Sequence, residues 1–228
     1  MYQPFVAGRW YEEQFLEHIR MVGRTGVYVD AGANIGTATT WFAMLCPSTH
    51  VHAIEPVGRF ADQLERVIVE NDLLGHVTLH RLGVSDKSGT ATNHLDRSHQ
   101  VGFDADPVGR NETFSVATLD ELVTGPVAVI KVDVEGMENR VLKGAGRILE
   151  NDRPLVYFEA FNRARFREVA DVLKPFGYAP TGKVFNSTPT YEFSTESSSG
   201  VSARLATYRF KRVVRRITWK AAKRVGIR

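Results

Sequence analysis

A chain of 228 residues with 43% hydrophobic and 24% charged side chains has the length and composition of one globular domain with short additions. The net charge of +3 is uneven: residues 204–228 hold ten Lys or Arg and no Asp or Glu, whereas residues 1–203 hold 19 basic and 26 acidic side chains, which excludes a basic nucleic-acid surface spread over the body. The single Cys46 excludes an internal disulfide and a four-ligand Cys/His zinc site and predicts a reducing, cytoplasmic setting, and neither a charged-then-apolar leader nor an apolar run of about 18 residues predicts secretion or a membrane span.

In chain order, Tyr11–Met21 predicts an amphipathic leading helix outside the sheet. Strands are predicted over Val27–Asp30, Val51–Ile54, Val77–Leu82, Val127–Val132 and Leu155–Glu159. Helices are predicted between them over Thr37–Leu45, Arg59–Asn71, Glu138–Glu150 and Arg163–Leu173, the alternation of an open α/β sheet. Gly177-Tyr178 begins a return to a last strand pair that includes Tyr191-Glu-Phe193. The stretch Asn93–Thr113, with His94, Asp96, His99, Asp104 and Asp106, reads as a long irregular loop, and such loops are uncommon unless functional or disordered. Cys46 reads as a small buried apolar residue of its helix rather than a nucleophile.

Chemistry concentrates where predicted strands end. Val27-Tyr-Val-Asp-Ala-Gly-Ala-Asn-Ile-Gly36 delivers a parallel strand to a small-residue turn and a helix, and Gly32 and Gly36 let backbone approach a ligand. A dinucleotide fingerprint counted from Gly32 fails at Asn34 and Thr37. The pattern D-x-G-x-N-x-G is instead that of class I methyltransferases around the methionine part of S-adenosylmethionine (SAM). Glu55 ends the second strand about 20 residues later, next to Pro56; a carboxylate there accepts from both ribose hydroxyls of a nucleoside or else caps the next helix. Gly83-Val-Ser-Asp-Lys-Ser-Gly89 puts Ser85 and Asp86 within reach of an adenine edge, or is ordinary turn chemistry. Asp133 and Glu135 follow the fourth strand, with Lys131 as a partner, and read as ligand-facing carboxylates or as an acidic first helical turn. Glu159 ends an apolar strand as a candidate base, and with Asp133 and Asn162 it offers an oxygen set for Mg²⁺.

These residues resemble the FkbM-type family of SAM-dependent methyltransferases. The matching blocks are V-Y-V-D-A-G-A-N-I-G (27–36), A-I-E-P (53–56), G-V-S-D-K-S-G (83–89), A-T-L-D-E-L (117–122) and I-K-V-D-V-E-G-M-E-N-R-V-L-K-G-A (130–145). The last block is the most specific, and the resemblance spans about residues 25–180. It implies a Rossmann-like class I methyltransferase fold, α/β with a mostly parallel seven-stranded sheet and helices on both faces. It also implies SAM as methyl donor and transfer to a hydroxyl of a sugar, glycan or polyketide-like natural product. Asp30, Gly32, Asn34, Glu55, Asp86 and Asp133 fall on the family's SAM-site motifs; Gly36, Pro56 and Ser85 complete the expected cofactor set.

An aliphatic hydroxyl needs a base as the new bond forms; His94, His99, Glu159 and Asp133 are the candidates. N-methylation of an amino sugar or peptide, and SAM or nucleoside binding without catalysis, stay open. The expected organisation is a helical extension over 1–24, a methyltransferase domain over 25–194, a Ser-rich linker over 195–203 and a basic amphipathic tail over 204–228. That tail fits an anionic membrane surface, which would place the protein peripherally at the inner membrane, or a second subunit in a homodimer; nucleic acid is not expected.

Overall fold

The computed structural model describes residues 10–93 and 112–196. His94, His99 and the basic tail therefore lie outside the described residues.

Ten strands and seven α-helices are built over the described residues. The first helix, α1 (Glu13–Val22), carries Phe15, Leu16, Ile19 and Val22 on one stripe, and all four are buried. Then follow β1 (Gly26–Ala31), α2 (Thr37–Leu45), β2 (Ser48–Ile54), α3 (Gly58–Glu70), β3 (Val77–His80), β4 (Gly83–Val84) and β5 (Gly89–Asn93). Beyond the undescribed residues come β6 (Glu112–Ala117), α4 (Leu119–Leu122), β7 (Val127–Val132), α5 (Glu138–Lys143), α6 (Gly146–Asn151), β8 (Leu155–Glu159) and α7 (Arg163–Leu173). A 3₁₀ turn (Lys174–Phe176), β9 (Ala179–Phe185) and β10 (Thr190–Ser194) close the described chain.

Seven strands form one sheet in the order β3-β2-β1-β7-β8-β10-β9. The strands from β3 to β8 run parallel, and β10 is antiparallel to both β8 and β9. Every residue of β1 and of β7 is buried, which explains why both read as continuous apolar runs: a central parallel strand is covered on two faces. One face packs Val29, Ile130, Val132, Val156 and Phe158 against Val141, Leu142, Ile148 and Leu173. The other packs Tyr28, Val51, Val129 and Tyr157 against Phe15, Ile19, Phe42 and Leu64. This is the Rossmann-like class I methyltransferase fold. Its strand order reverses between β1 and β7, and ligand crevices in open sheets form at that switch, outside the strands' carboxyl ends.

Three sequence expectations are corrected. The helix expected over Glu138–Glu150 is two, α5 and α6, because the backbone leaves helical dihedrals at Gly144 (φ −79, ψ 8) and Ala145 (φ −118, ψ 22), where Gly144 also admits the Ser85 carbonyl oxygen that a Cβ would meet at 2.1 Å. The third strand stops at His80 rather than Leu82. The irregular stretch over Asn93–Thr113 has strands at both ends, Asn93 in β5 and Thr113 in β6, and with β4 these make a second sheet in the order β4-β6-β5. Cys46 is partly buried, and burial pushes its thiol up to about 12, away from nucleophilic chemistry at neutral pH.

Along β2 and β3, His52 Nδ1 and His80 Nε2 lie 2.8 Å apart with their rings nearly parallel. One nitrogen must donate and the other accept, so the two rings cannot both be protonated. Burial, then the His80 and His50 rings, lower the His52 pKa to about 4. An unfolded histidine titrates near 6.5. Between these values the unfolded chain binds the extra proton, so stability falls as pH drops from about 6.5 to 4, by about 3 kcal/mol when complete. Urea unfolding at pH 7, 5.5 and 4.5 should show this slope, and His52→Gln should flatten it; equal slopes in both proteins would reject the assignment.

Candidate active site

The crevice is built at the ends of β1, β2, β7 and β8. Gly32 and Ala33 amides both donate to the Ile54 carbonyl at 3.0 Å, and the Asp133 amide donates to the Ala31 carbonyl at 2.9 Å, so the ends of β2, β1 and β7 are stitched together beyond the regular ladders. Gly32 has φ +80, and a Cβ there would stand 1.8 Å from the Asp133 carbonyl oxygen. Gly36, also at positive φ, opens α2.

Asp30 is fully buried near the end of β1. Its Oδ2 accepts from Thr39 Oγ at 2.6 Å, while Oδ1 accepts no hydrogen bond and faces Lys131 Nζ at 3.4 Å. Lys131 also donates to Asp133 Oδ2 at 3.3 Å, so it pairs with one of its expected partners and with Asp30 besides. Burial disfavours the Lys131 charge, but Asp133, Asp30 and Glu12 outweigh it and raise its pKa, keeping the ammonium charged.

Glu55 is buried, with Oε2 accepting from the Asn34 amide at 2.8 Å and Oε1 from the Val57 amide at 2.9 Å. Burial raises its pKa, opposed by those two bonds. It therefore holds both the glycine turn, where Asn34 is exposed at φ +51, and the entry to α3. Each oxygen keeps a lone pair for a further donor. Pro56, lacking an N–H, joins these two anchor points. Ser85 is buried and donates to Asp86 Oδ1 at 3.0 Å, and Asp86 lies 3.5 Å from Arg140 Nε. The Ser85 bond leads the causes that lower the Asp86 pKa.

Past β7, Asp133 is half-buried and Glu135 is exposed with φ +54. Glu138, buried, accepts from the Val134 and Gly136 amides at 3.2 and 3.0 Å, so it shapes the loop from inside. Glu159 is half-buried; burial, then the Asp133 charge and a hydrogen bond with Asp133, push its carboxyl up to about 8. These causes favour its protonated form at neutral pH.

Of the oxygen set that the sequence offers for Mg²⁺, Asp133 and Glu159 lie together but Asn162 is engaged elsewhere. Asn162 caps α7, its Oδ1 accepting from the Ala164 and Arg165 amides at 3.0 Å each. Among the described residues no three His, Cys, Asp or Glu are grouped as a metal would need.

Sequence reading missed Glu12. It precedes α1 with φ +58 and makes no cap bond to that helix. Instead its Oε1 accepts from Asn186 Nδ2 at 2.7 Å, and Asn186 in turn donates to Thr190 Oγ at 2.9 Å. Thr190 pairs with Glu159 across β10 and β8, which puts this chain of bonds at the crevice edge. Burial raises the Glu12 carboxyl to about 7, with Lys131 lowering it and Asp133 and Asp30 raising it. No local motif announces Glu12; only the return of α1 and the β9–β10 turn to one edge brings it there.

A model of the Methyltransferase FkbM domain matches residues 30–180. The hexuronic acid methyltransferase AglP of Haloferax volcanii is 34% identical over 138 residues, 54% of this chain and 51% of its own. The methyltransferase sdnD of Sordaria araneosa is 28% identical over 173 residues, 59% of this chain and 67% of its own. The crystal structure of a methyltransferase FkbM from Methylobacillus flagellatus KT superposes with a TM-score of 0.58 at 20% identity, over 75% of this chain and 44% of that one. The match thus spans about half the length of the Haloferax volcanii relative.

Proposed function

The chain belongs to the methyltransferase FkbM family, and from that premise we propose that it transfers a methyl group from SAM to a hydroxyl oxygen of a sugar, glycan or natural-product acceptor. The observation that carries this reading is the joint between β1 and β7. There Gly32 lets the Asp133 backbone close against the β1 turn, so that Asp30, Lys131 and Asp133 stand together at the strand ends, with the Asn34 amide held by Glu55 beside them. Acidic groups at the carboxyl ends of parallel strands beside the switch in strand order fit a cationic nucleoside cofactor. Gly32, Asn34 and Gly36 would hold its amino-acid part with Asp30 and Asp133 behind them, Glu55 and Pro56 its ribose, and Ser85 and Asp86 its adenine. SAM supplies an electrophilic methyl group on sulfur; the chain's contribution is to position the acceptor and to take its proton. The name of one relative, a hexuronic acid methyltransferase, supports a sugar acceptor.

Calorimetric titration with SAM and S-adenosylhomocysteine, with EDTA and with Mg²⁺, tests the reading. Saturable binding near one per chain is expected. Asp133→Ala and Glu55→Ala should each weaken SAM by about tenfold or more, the loss of one or two charge-assisted bonds. Normal affinity in both variants would refute the site map. Turnover is then followed by mass spectrometry on uronic, neutral and amino sugars; methylation confined to the amino sugar would move the activity from oxygen to nitrogen.

A further inference from the structure

The SAM contacts proposed above lie at the ends of β1, β2 and β4 and reach β7 only at Asp133, which leaves the β7–β8 half of the crevice to the acceptor. Its floor is acidic, with Asp133 and Glu159 joined by a hydrogen bond. Its rim carries a cation. Arg165, in the first turn of α7, lies against the loop that follows β7: a Cβ built on Gly136 would stand 3.8, 3.9 and 4.0 Å from Nη2, Cζ and Nε of its guanidinium. Near-equal distances to the three atoms mean that the group lays its flat face on the loop, so its N–H bonds run along that surface and not into it. Glu168 accepts from Nη1 at 3.0 Å and from Asn139 Nδ2 of α5 at 3.4 Å, which fixes the fork from one end. The other edge, Nε with Nη2, can grip an oxyanion through two parallel bonds, and among the described residues it donates to no acceptor. Helix chemistry does not call for a cation here, because the dipole of α7 disfavours positive charge in its first turn. The same two loops carry exposed apolar side chains, Met137 next to Gly136 and Phe161 just ahead of α7, and an apolar wall with a placed charge is how small-molecule sites are lined.

We propose that Arg165 selects an acceptor that carries its own oxyanion, a carboxylate or a phosphate, near the hydroxyl to be methylated. The inference rests on the reading above, that this crevice holds SAM and an acceptor hydroxyl. A hydroxyl brought to Asp133 and Glu159 arrives over an acidic floor, where a negatively charged acceptor is repelled unless a cation offsets it. Lys131 does not serve, because it is buried and already pairs with Asp30 and Asp133. Arg165 does, from against the loop that carries Asp133. A grip through two bonds fixes the orientation of the acceptor as well as its distance, and in-line transfer to oxygen requires both. A neutral sugar makes no such pair and leaves the guanidinium in water, so the effect is a preference between acceptors and not a general gain in binding.

The test is ligand-observed NMR titration of the full chain saturated with S-adenosylhomocysteine, using methyl glucuronoside, glucose 1-phosphate and methyl glucoside as probes. We expect the wild-type chain to bind one of the anionic sugars about fivefold more tightly than the neutral one, the upper end for an ion pair as exposed as this. Which anion wins separates carboxylate from phosphate. Arg165→Gln should bring the three sugars to within about twofold of one another while SAM affinity and Tm hold, and Arg165→Lys should keep only part of the preference, having the charge without the fork. A wild-type chain that binds the three sugars alike, or binds none of them, overturns the inference. So does a preference that survives in Arg165→Gln, and so does an equal loss of SAM affinity in that variant, which would give Arg165 a structural part. If the wild-type chain binds neither SAM nor S-adenosylhomocysteine, the SAM reading itself falls, and this inference with it.

Discussion

Gly32→Ala should lower stability by about 2–5 kcal/mol and abolish measurable SAM binding. The added Cβ would meet the Asp133 carbonyl oxygen at 1.8 Å and its carbon at 2.8 Å, both backbone atoms that cannot rotate away. Relief requires the ends of β1 and β7 to part, which breaks the bond from the Asp133 amide to Ala31 and the two bonds on the Ile54 carbonyl. A non-glycine residue held at positive φ costs about 1–2 kcal/mol by itself, and overpacking adds about 1–3 more. For a chain of this size the sum corresponds to a fall in Tm of roughly 10 °C. Gly177→Ala is the control: its φ is +81, but no atom lies within 4 Å of the added Cβ, so only the conformational share should appear. Similar Tm values for the two variants would show that close approach at Gly32 is not what holds the joint.

The parts of this site that repeat a local pattern could be read from residues alone. The β1 turn, Glu55 at the end of β2, and the carboxylates after β7 are each strand-end features, and the sheet places them along one edge because parallel strands end together. The motif residues divide by role in a way the pattern could not reveal. Thr118 and Glu121 form a capping box on α4, and Asp120 caps α6 by accepting from the Arg147 and Ile148 amides, so the A-T-L-D-E-L block is helix chemistry. Glu138 and Gly144, within the most specific block, shape the loop and admit the Ser85 carbonyl. The small β4-β6-β5 sheet was illegible because a two-residue strand has no period to detect and its partners are polar. Glu12 was illegible for another reason. Its partner Asn186 lies 174 residues away, a contact made only by tertiary return.

That return depends on one buried carboxylate, and Glu192→Leu should cost about 3–5 kcal/mol. Glu192 is fully buried on β10. It accepts from Tyr157 Oη and Thr181 Oγ at 2.7 Å each and bonds His18 Nε2 of α1, with Lys183 Nζ 3.8 Å away. Burial alone would raise its pKa; the bonds from His18, Thr181 and Tyr157 win and lower it to about 2. A folded value below the unfolded one means that this contribution is present above about pH 4.5 and is lost as pH falls toward 2. Leucine would fill the volume but leave three buried polar groups without their acceptor, and that loss dominates. Urea unfolding at pH 7 measures the effect; a change below about 1 kcal/mol would mean that packing of Phe15, Leu16 and Ile19 alone seats α1. Adding His18→Leu should recover part of the loss, because two residues sharing one bond are not additive. The consequence follows from geometry. With α1 loosened, the Glu12–Asn186 bond that ties the start of α1 to the β9–β10 turn should be lost, although Glu192 itself bonds α1, β8 and β9.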